Sequence, residues 1–127
     1  MKVIKSKKKR IDTDALSEKI IEFIQEKKGK NIISLNLENI PEAVSDYFII
    51  CNADSTTQVQ TITDNIEHGL VNIVGLKNIH TEGRNNAQWA IIDTGDILIH
   101  IFQTEYREYY NLEGLWSDGL LKKYENI

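Results

Sequence analysis

The sequence predicts one α/β domain in which helices pack on a mixed sheet of roughly five strands. Three observations lead there. Apolar residues recur at helical spacing in two segments, and elsewhere they alternate or run together at strand length. The two kinds of segment interleave along the chain, with no repeat, low-complexity stretch or linker between them. At 127 residues the chain has room for one hydrophobic core and not for two.

The elements follow in order. Leu16, Ile20, Phe23 and Ile24 share one helical face, with Asp12, Thr13 or Asp14 as the cap and Gly29 after Lys27-Lys28 as the stop. Ile33, Leu35 and Leu37 alternate with Ser34 and Asn36, the pattern of a strand with one buried face, and the single proline, Pro41, closes that stretch. Tyr47 to Cys51 is continuously apolar, as a central strand covered on both faces would be. Ser55 and Gln58 fit a capping box ahead of the stripe Val59, Ile62, Ile66, Leu70 and Ile73, which Gly75 ends. A short strand from Ile79 to Glu82 and a polar loop from Gly83 to Gln88 come next.

The stretch from Trp89 to Phe102 reads as a hairpin with Thr94-Gly95 as a two-residue turn. That register pairs Asp93 with Asp96, Ile91 with Leu98 and Trp89 with His100. Strand alternation puts Ala90, Ile92, Ile97, Ile99 and Ile101 on one purely aliphatic face, which must be core. The other face carries Trp89, Ile91, Leu98, His100 and Phe102. It is either packed under a helix or a recognition face, since Trp, Tyr and Arg are enriched at binding hot spots. After the hairpin, Thr104 to Trp116 holds three of the five tyrosines and one of the two tryptophans, with Tyr109, Leu112 and Trp116 on one side of a short helix.

Charge and composition narrow the function. Lys2, Lys5, Lys7, Lys8, Lys9 and Arg10 crowd into ten positions that hold no acid, so the remaining residues carry nine bases against nineteen acids. An acidic body repels phosphate and suits a basic protein surface. The basic segment reads first as a solubilising arm and second as a contact for RNA. It is followed by no apolar stretch of the kind a secretory signal has, and no apolar run reaches membrane-spanning length. The lone Cys51 suits a reducing compartment, so a cytoplasmic location is expected.

Catalytic patterns are weak. Asp93-Thr94-Gly95 matches the Asp-Thr-Gly of retroviral-type aspartic proteases, but Asp96 would crowd the shared proton with an extra carboxylate. The element order invites comparison with nucleotidyltransferases, which pair a Gly-Ser with a downstream Asp-x-Asp; here Ala53-Asp54-Ser55 replaces the first, and Asp93 and Asp96 do not share a strand face. His68, His80 and His100 lack metal-ligand spacing, although a site of His80, Glu82 and His100 on neighbouring strands stays open. No phosphate-cradling glycine loop is present, and Cys51 reads as packing. The residues point to a binding protein that needs no cofactor.

One family matches in order and spacing. Asp46-Tyr47-Phe48-Ile49-Ile50-Cys51 with Ser55 and Gln58-Val59, then Glu82-Gly83, Trp89, Asp93, Gly95-Asp96, His100 and Phe102, then Arg107, Tyr110, Leu112-Glu113 and Leu115-Trp116, resemble the ribosomal silencing factor family, RsfS in bacteria and Iojap in organelles. The resemblance spans Leu16 to Trp116. It divides the chain into a basic tail (residues 1–12), the family domain (13–118) and a C-terminal tail (119–127). It implies a nucleotidyltransferase-like fold without catalysis. It also implies binding to ribosomal protein uL-fourteen of the large subunit, which blocks small-subunit association and represses translation under nutrient limitation. A large-subunit assembly factor and a degenerate nucleotidyltransferase are the alternatives. The recognition residues expected are Trp89 as anchor, Asp93 and Asp96 as partners for Lys or Arg, and His100 and Tyr110 as hydrogen-bonding neighbours. Arg107 is expected to brace the site against an acid, and Trp116 to be either core or contact. The arm offers a ribosomal RNA contact, and a homodimer of the free protein is compatible with the apolar face.

Overall fold

The computed structural model describes residues 12–126, so the basic segment, and the RNA contact expected of it, lie outside the described residues. Helix α1, Thr13–Glu26, starts where the Asp12 carboxylate accepts the Asp14 N–H and turns off at Gly29. Strands β1 (Lys30–Asn36) and β2 (Tyr47–Ala53) follow, then helix α2 (Thr56–Gly69), which runs on into a π-helical turn over Leu70–Val74. Gly75, at φ 88, ends that turn in the left-handed region. Ser55 caps α2 by accepting the Gln58 N–H, but the Gln58 side chain reaches the Lys27 and Lys28 carbonyls, tying the end of α1 to the start of α2.

Strands β3 (His80–Glu82), β4 (Trp89–Asp93) and β5 (Ile97–Gln103) lead into two short helices, α3 (Thr104–Tyr110) and α4 (Leu112–Leu115), and a last strand β6 (Leu120–Lys123). The sheet has the order β3-β4-β5-β2-β1-β6, with β2 and β5 parallel and every other pair antiparallel. It is one mixed sheet of six strands where roughly five were expected. The extra strand is β6, in the segment taken from sequence to be a tail. It pairs with β1 from Ile33↔Lys123 to Asn36↔Leu120. All four of its residues are exposed, so they carry none of the buried alternation that marks a strand.

Two cores sit on the two faces. Helices α1 and α2 cover one face with Ile20, Ile24, Val59, Ile62 and Ile66, packed on Ile49, Cys51, Ala90, Ile92, Ile97, Ile99 and Ile101. The aliphatic face of the hairpin is thus core. Cys51 belongs to it, and burial pushes its thiol up to about 12, far from a reactive thiolate. On the opposite face Leu35, Leu37, Phe48, Ile50, Phe102 and Leu112 form a second cluster, flanked by half-buried Trp89, Leu98, Tyr106 and Trp116. Strand β1 therefore has both faces covered over residues 32–35, where alternation had suggested one.

Candidate docking face

The hairpin register differs from the expected one. Asp93 pairs with Leu98, Ile91 with His100, and Trp89 with Phe102. The turn sits one residue further along, with Gly95-Asp96 between Thr94 and Ile97: the Thr94 N–H donates to the Ile97 carbonyl at 3.0 Å, and Thr94 Oγ1 accepts the Ile97 N–H at 3.1 Å. Gly95, at φ 100, gives its N–H to Asp93 Oδ1 at 2.8 Å. The opposed pair of carboxylates therefore does not form. The shift is two residues, an even number, so every side chain keeps the face that alternation assigned it.

Trp89 and His100 still meet, now as diagonal neighbours. The indole N–H of Trp89 donates to His100 Nδ1 at 3.1 Å. An indole nitrogen can only donate, so Nδ1 is the acceptor and the neutral imidazole carries its proton on Nε2. Nε2 is buried without a hydrogen-bond partner among the described residues. Burial lowers the His100 pKa to about 4, so the ring is neutral near pH 7. Phe48 lies 4.7 Å from the imidazole, and Trp116 meets Phe48 edge-on at 5.9 Å.

The Trp89 ring stacks on Phe102 at 4.9 Å and packs against Tyr110 at 4.7 Å, and Tyr109 stands edge-on to Tyr110 at 5.1 Å. Gly83 permits this corner: a Cβ there would fall 2.2 Å from the Trp89 carbonyl oxygen. Tyr109 is 79% exposed, Leu115 72% and Tyr110 43%, so the cover over the second cluster is open at its edge. Tyr109 does not share a helix side with Leu112 and Trp116, because Asn111, at φ 47, breaks the segment into α3 and α4. Sequence reasoning passed over Tyr109 as a surface residue; an asparagine directly after Tyr110, able to take the left-handed conformation, is the signal that would have found the break.

The remaining predicted residues fall elsewhere. Arg107 is buried and donates to Glu113 Oε2 from Nε and Nη2 at 3.0 and 2.9 Å, and from Nη1 to Asn52 Oδ1 at 2.8 Å and the Asn31 carbonyl at 2.5 Å. It ties the two short helices to β1 and β2. Asp93 is exposed and Asp96 half-buried at the far end of the hairpin, roughly 13 Å from Trp89 by strand rise. The Asp96 carbonyl accepts the Tyr47 N–H and the Ser45 hydroxyl, anchoring that end to the start of β2. Trp89, His100, Tyr110 and, through Phe48, Trp116 are therefore gathered, while Asp93 and Asp96 form a separate acidic end.

The geometry for catalysis is poor. Ser55 serves as a helix cap, and Asp54 bonds Lys30 Nζ at 2.6 Å and the Thr104 hydroxyl at 2.8 Å, contacts that hold its carboxyl below the usual range. Ala53 lies level with Gln103, and Asp93 with Leu98, so Asp54 and Asp93 stand at opposite ends of the sheet, roughly 16 Å apart. His80 bonds Glu82 at 3.0 Å on the surface while His100 faces Trp89, so these three do not converge. Among the described residues no group of three or more His, Cys, Asp or Glu side chains could hold a metal ion, and no helix is long and apolar enough to cross a membrane.

The chain is similar to known proteins. A family model described as "Ribosomal silencing factor during starvation" matches residues 10–127. A ribosomal silencing factor RsfS of Bacillus subtilis is 38% identical over 96 residues, 76% of this chain and 80% of that protein. One from Halalkalibacterium halodurans is 33% identical over 107 residues, 84% of this chain and 90% of that protein. The crystal structure of a Chromobacterium violaceum protein superposes with a TM-score of 0.79 at 27% identity, covering 84% of this chain and 88% of that one.

Proposed function

Because the chain belongs to the family of ribosomal silencing factors, RsfS, we propose that it is a non-enzymatic cytoplasmic repressor of translation that docks on the large ribosomal subunit through protein uL-fourteen and sterically blocks the small subunit. The observation that carries the reading is the half-open aromatic face. Trp89, Tyr109 and Tyr110 stand together at the edge of a body with ten more acids than bases outside its first ten residues. Apolar aromatic area with polar handles, on a surface whose charge opposes that of a basic ribosomal protein, is the composition of a protein-binding patch. The acidic end at Asp93 and Asp96 would steer the encounter, and the aromatic end would hold the complex. Occupying the surface where the subunits join would repress translation, and the starvation in the family model's description supports placing that repression under nutrient limitation.

Co-sedimentation of the purified protein with separated subunits, followed by a subunit-joining assay, tests this. The expected result is binding to the large subunit alone, with joining blocked. Binding without a block would assign the same surface to subunit assembly, and no binding at moderate salt would refute the reading.

A further inference from the structure

Trp89 satisfies its one polar atom inside the protein. Its N–H is committed to His100 Nδ1 at 3.1 Å, so a partner meets the ring and not the donor. We propose that His100 is a positioning residue for the docking face: by accepting the indole N–H it fixes the plane in which Trp89 is presented. This rests on the docking reading above and concerns how that same surface is held.

Three observations support it. Phe102 and Tyr110 bound the indole by apolar contact, which is non-directional and lets a half-buried ring slide or tilt; the hydrogen bond is directional and does not. The acceptor is itself immobile, since His100 is 4% exposed, pairs with Ile50 and Ile91 in the sheet, and packs on Phe48. Finally, the imidazole is expensive to keep. With Nδ1 engaged, Nε2–H is buried with no acceptor among the described residues, a penalty that an aliphatic side chain would abolish. A residue serving the core alone would have no reason to carry that penalty. One that aims a neighbour does.

The test compares His100→Leu, which removes both the acceptor and the orphan donor, with His100→Asn, whose Oδ1 stands where Nδ1 stood. The protein has two tryptophans, so its two-dimensional amide spectrum carries two indole signals, and Trp89→Phe identifies the relevant one. In His100→Leu that signal should move upfield and exchange faster with water. The melting temperature should hold or rise, and affinity for large subunits should fall about tenfold. His100→Asn should return the signal downfield and bring affinity to within about threefold of the parent. A leucine variant that binds as the parent does would overturn the inference. So would an unmoved indole signal with affinity lost only in step with stability, which assigns His100 to packing. A parent protein that binds neither subunit refutes the docking reading instead, an outcome separate from a parent that binds and a leucine variant that binds equally well.

Discussion

The face of the sheet under α1 and α2 is aliphatic and closed, whereas the face under α3 and α4 is aromatic and left half open. On the first, Ala90, Ile92, Ile97, Ile99 and Ile101 are wholly buried, and two long helices supply the cover. On the second, the cover is a seven-residue helix, a four-residue helix and the chain between β1 and β2, and Tyr109 and Leu115 remain largely in solvent. Aliphatic packing has no polar requirements and can be sealed. An aromatic cluster with an indole N–H and an imidazole has polar atoms to satisfy and edges to offer. On the docking reading the difference separates what holds the fold from what a partner would meet, and substitutions on the two faces should therefore report on different properties.

The largest effect is expected on the closed face. Ile99→Ala empties a site with no exposed surface and should cost about 3–4 kcal/mol in denaturant unfolding, while folded protein keeps its affinity for large subunits. An equal loss of affinity would mean that the two faces are coupled. Next comes acid, through the open face. His100 has a folded pKa of about 4 against an ordinary 6.5, so between those values the unfolded chain binds the extra proton. Stability from this group is fully present above pH 6.5 and falls as pH drops toward 4, by roughly 3 kcal/mol in all. His100→Leu should flatten that part of the stability profile, and an unchanged profile would place the titration elsewhere.

Trp89→Ala sharpens the comparison directly. Affinity should fall by about 2 kcal/mol, or roughly thirtyfold, as for a hot-spot aromatic, with the cooperative unfolding transition retained. A variant that aggregates or unfolds non-cooperatively would move Trp89 to the structural side. The smallest effect belongs to the acidic end. Asp96→Lys should weaken binding by under about 1 kcal/mol and flatten its salt dependence, because a rim charge acts mainly on the encounter rate. Affinity unchanged across a salt series would remove Asp96 from the interface.

Much of this division was legible in the chain. The stripe from Val59 was readable as far as Leu70, though not to Ile73, which the π-helical turn leaves exposed; the two faces of the hairpin and the unbroken run Tyr47 to Cys51 were readable too, because side-chain period and burial are local properties. The register was not. It turned on which pair closes the turn, Thr94 with Ile97 and not Asp93 with Asp96, and composition is the same for either. The sixth strand was hidden because an exposed edge strand has no buried period. The Trp89–His100 bond needed the shifted register, and the ties from Arg107 to Asn31 and Asn52 join residues more than fifty positions apart, which no pattern along the chain encodes. At the candidate site, residue types were legible and their partners were not.

The pairing of β6 with β1 also orders events in time. It joins Ile33 to Lys123, and Tyr124 N–H to the Ile32 carbonyl, so this edge of the sheet waits for residues about ninety positions further along the chain. Until then β1 presents an unpaired strand edge beside Ile33 and Leu35, the kind of template on which nascent chains pair wrongly with one another. The parallel β2–β5 pair also spans a long stretch of sequence, from Tyr47 to Ile97, and such non-local contacts slow the search for the native state. Strand β6, two leucines followed by two lysines, is thus the segment that covers this edge of β1.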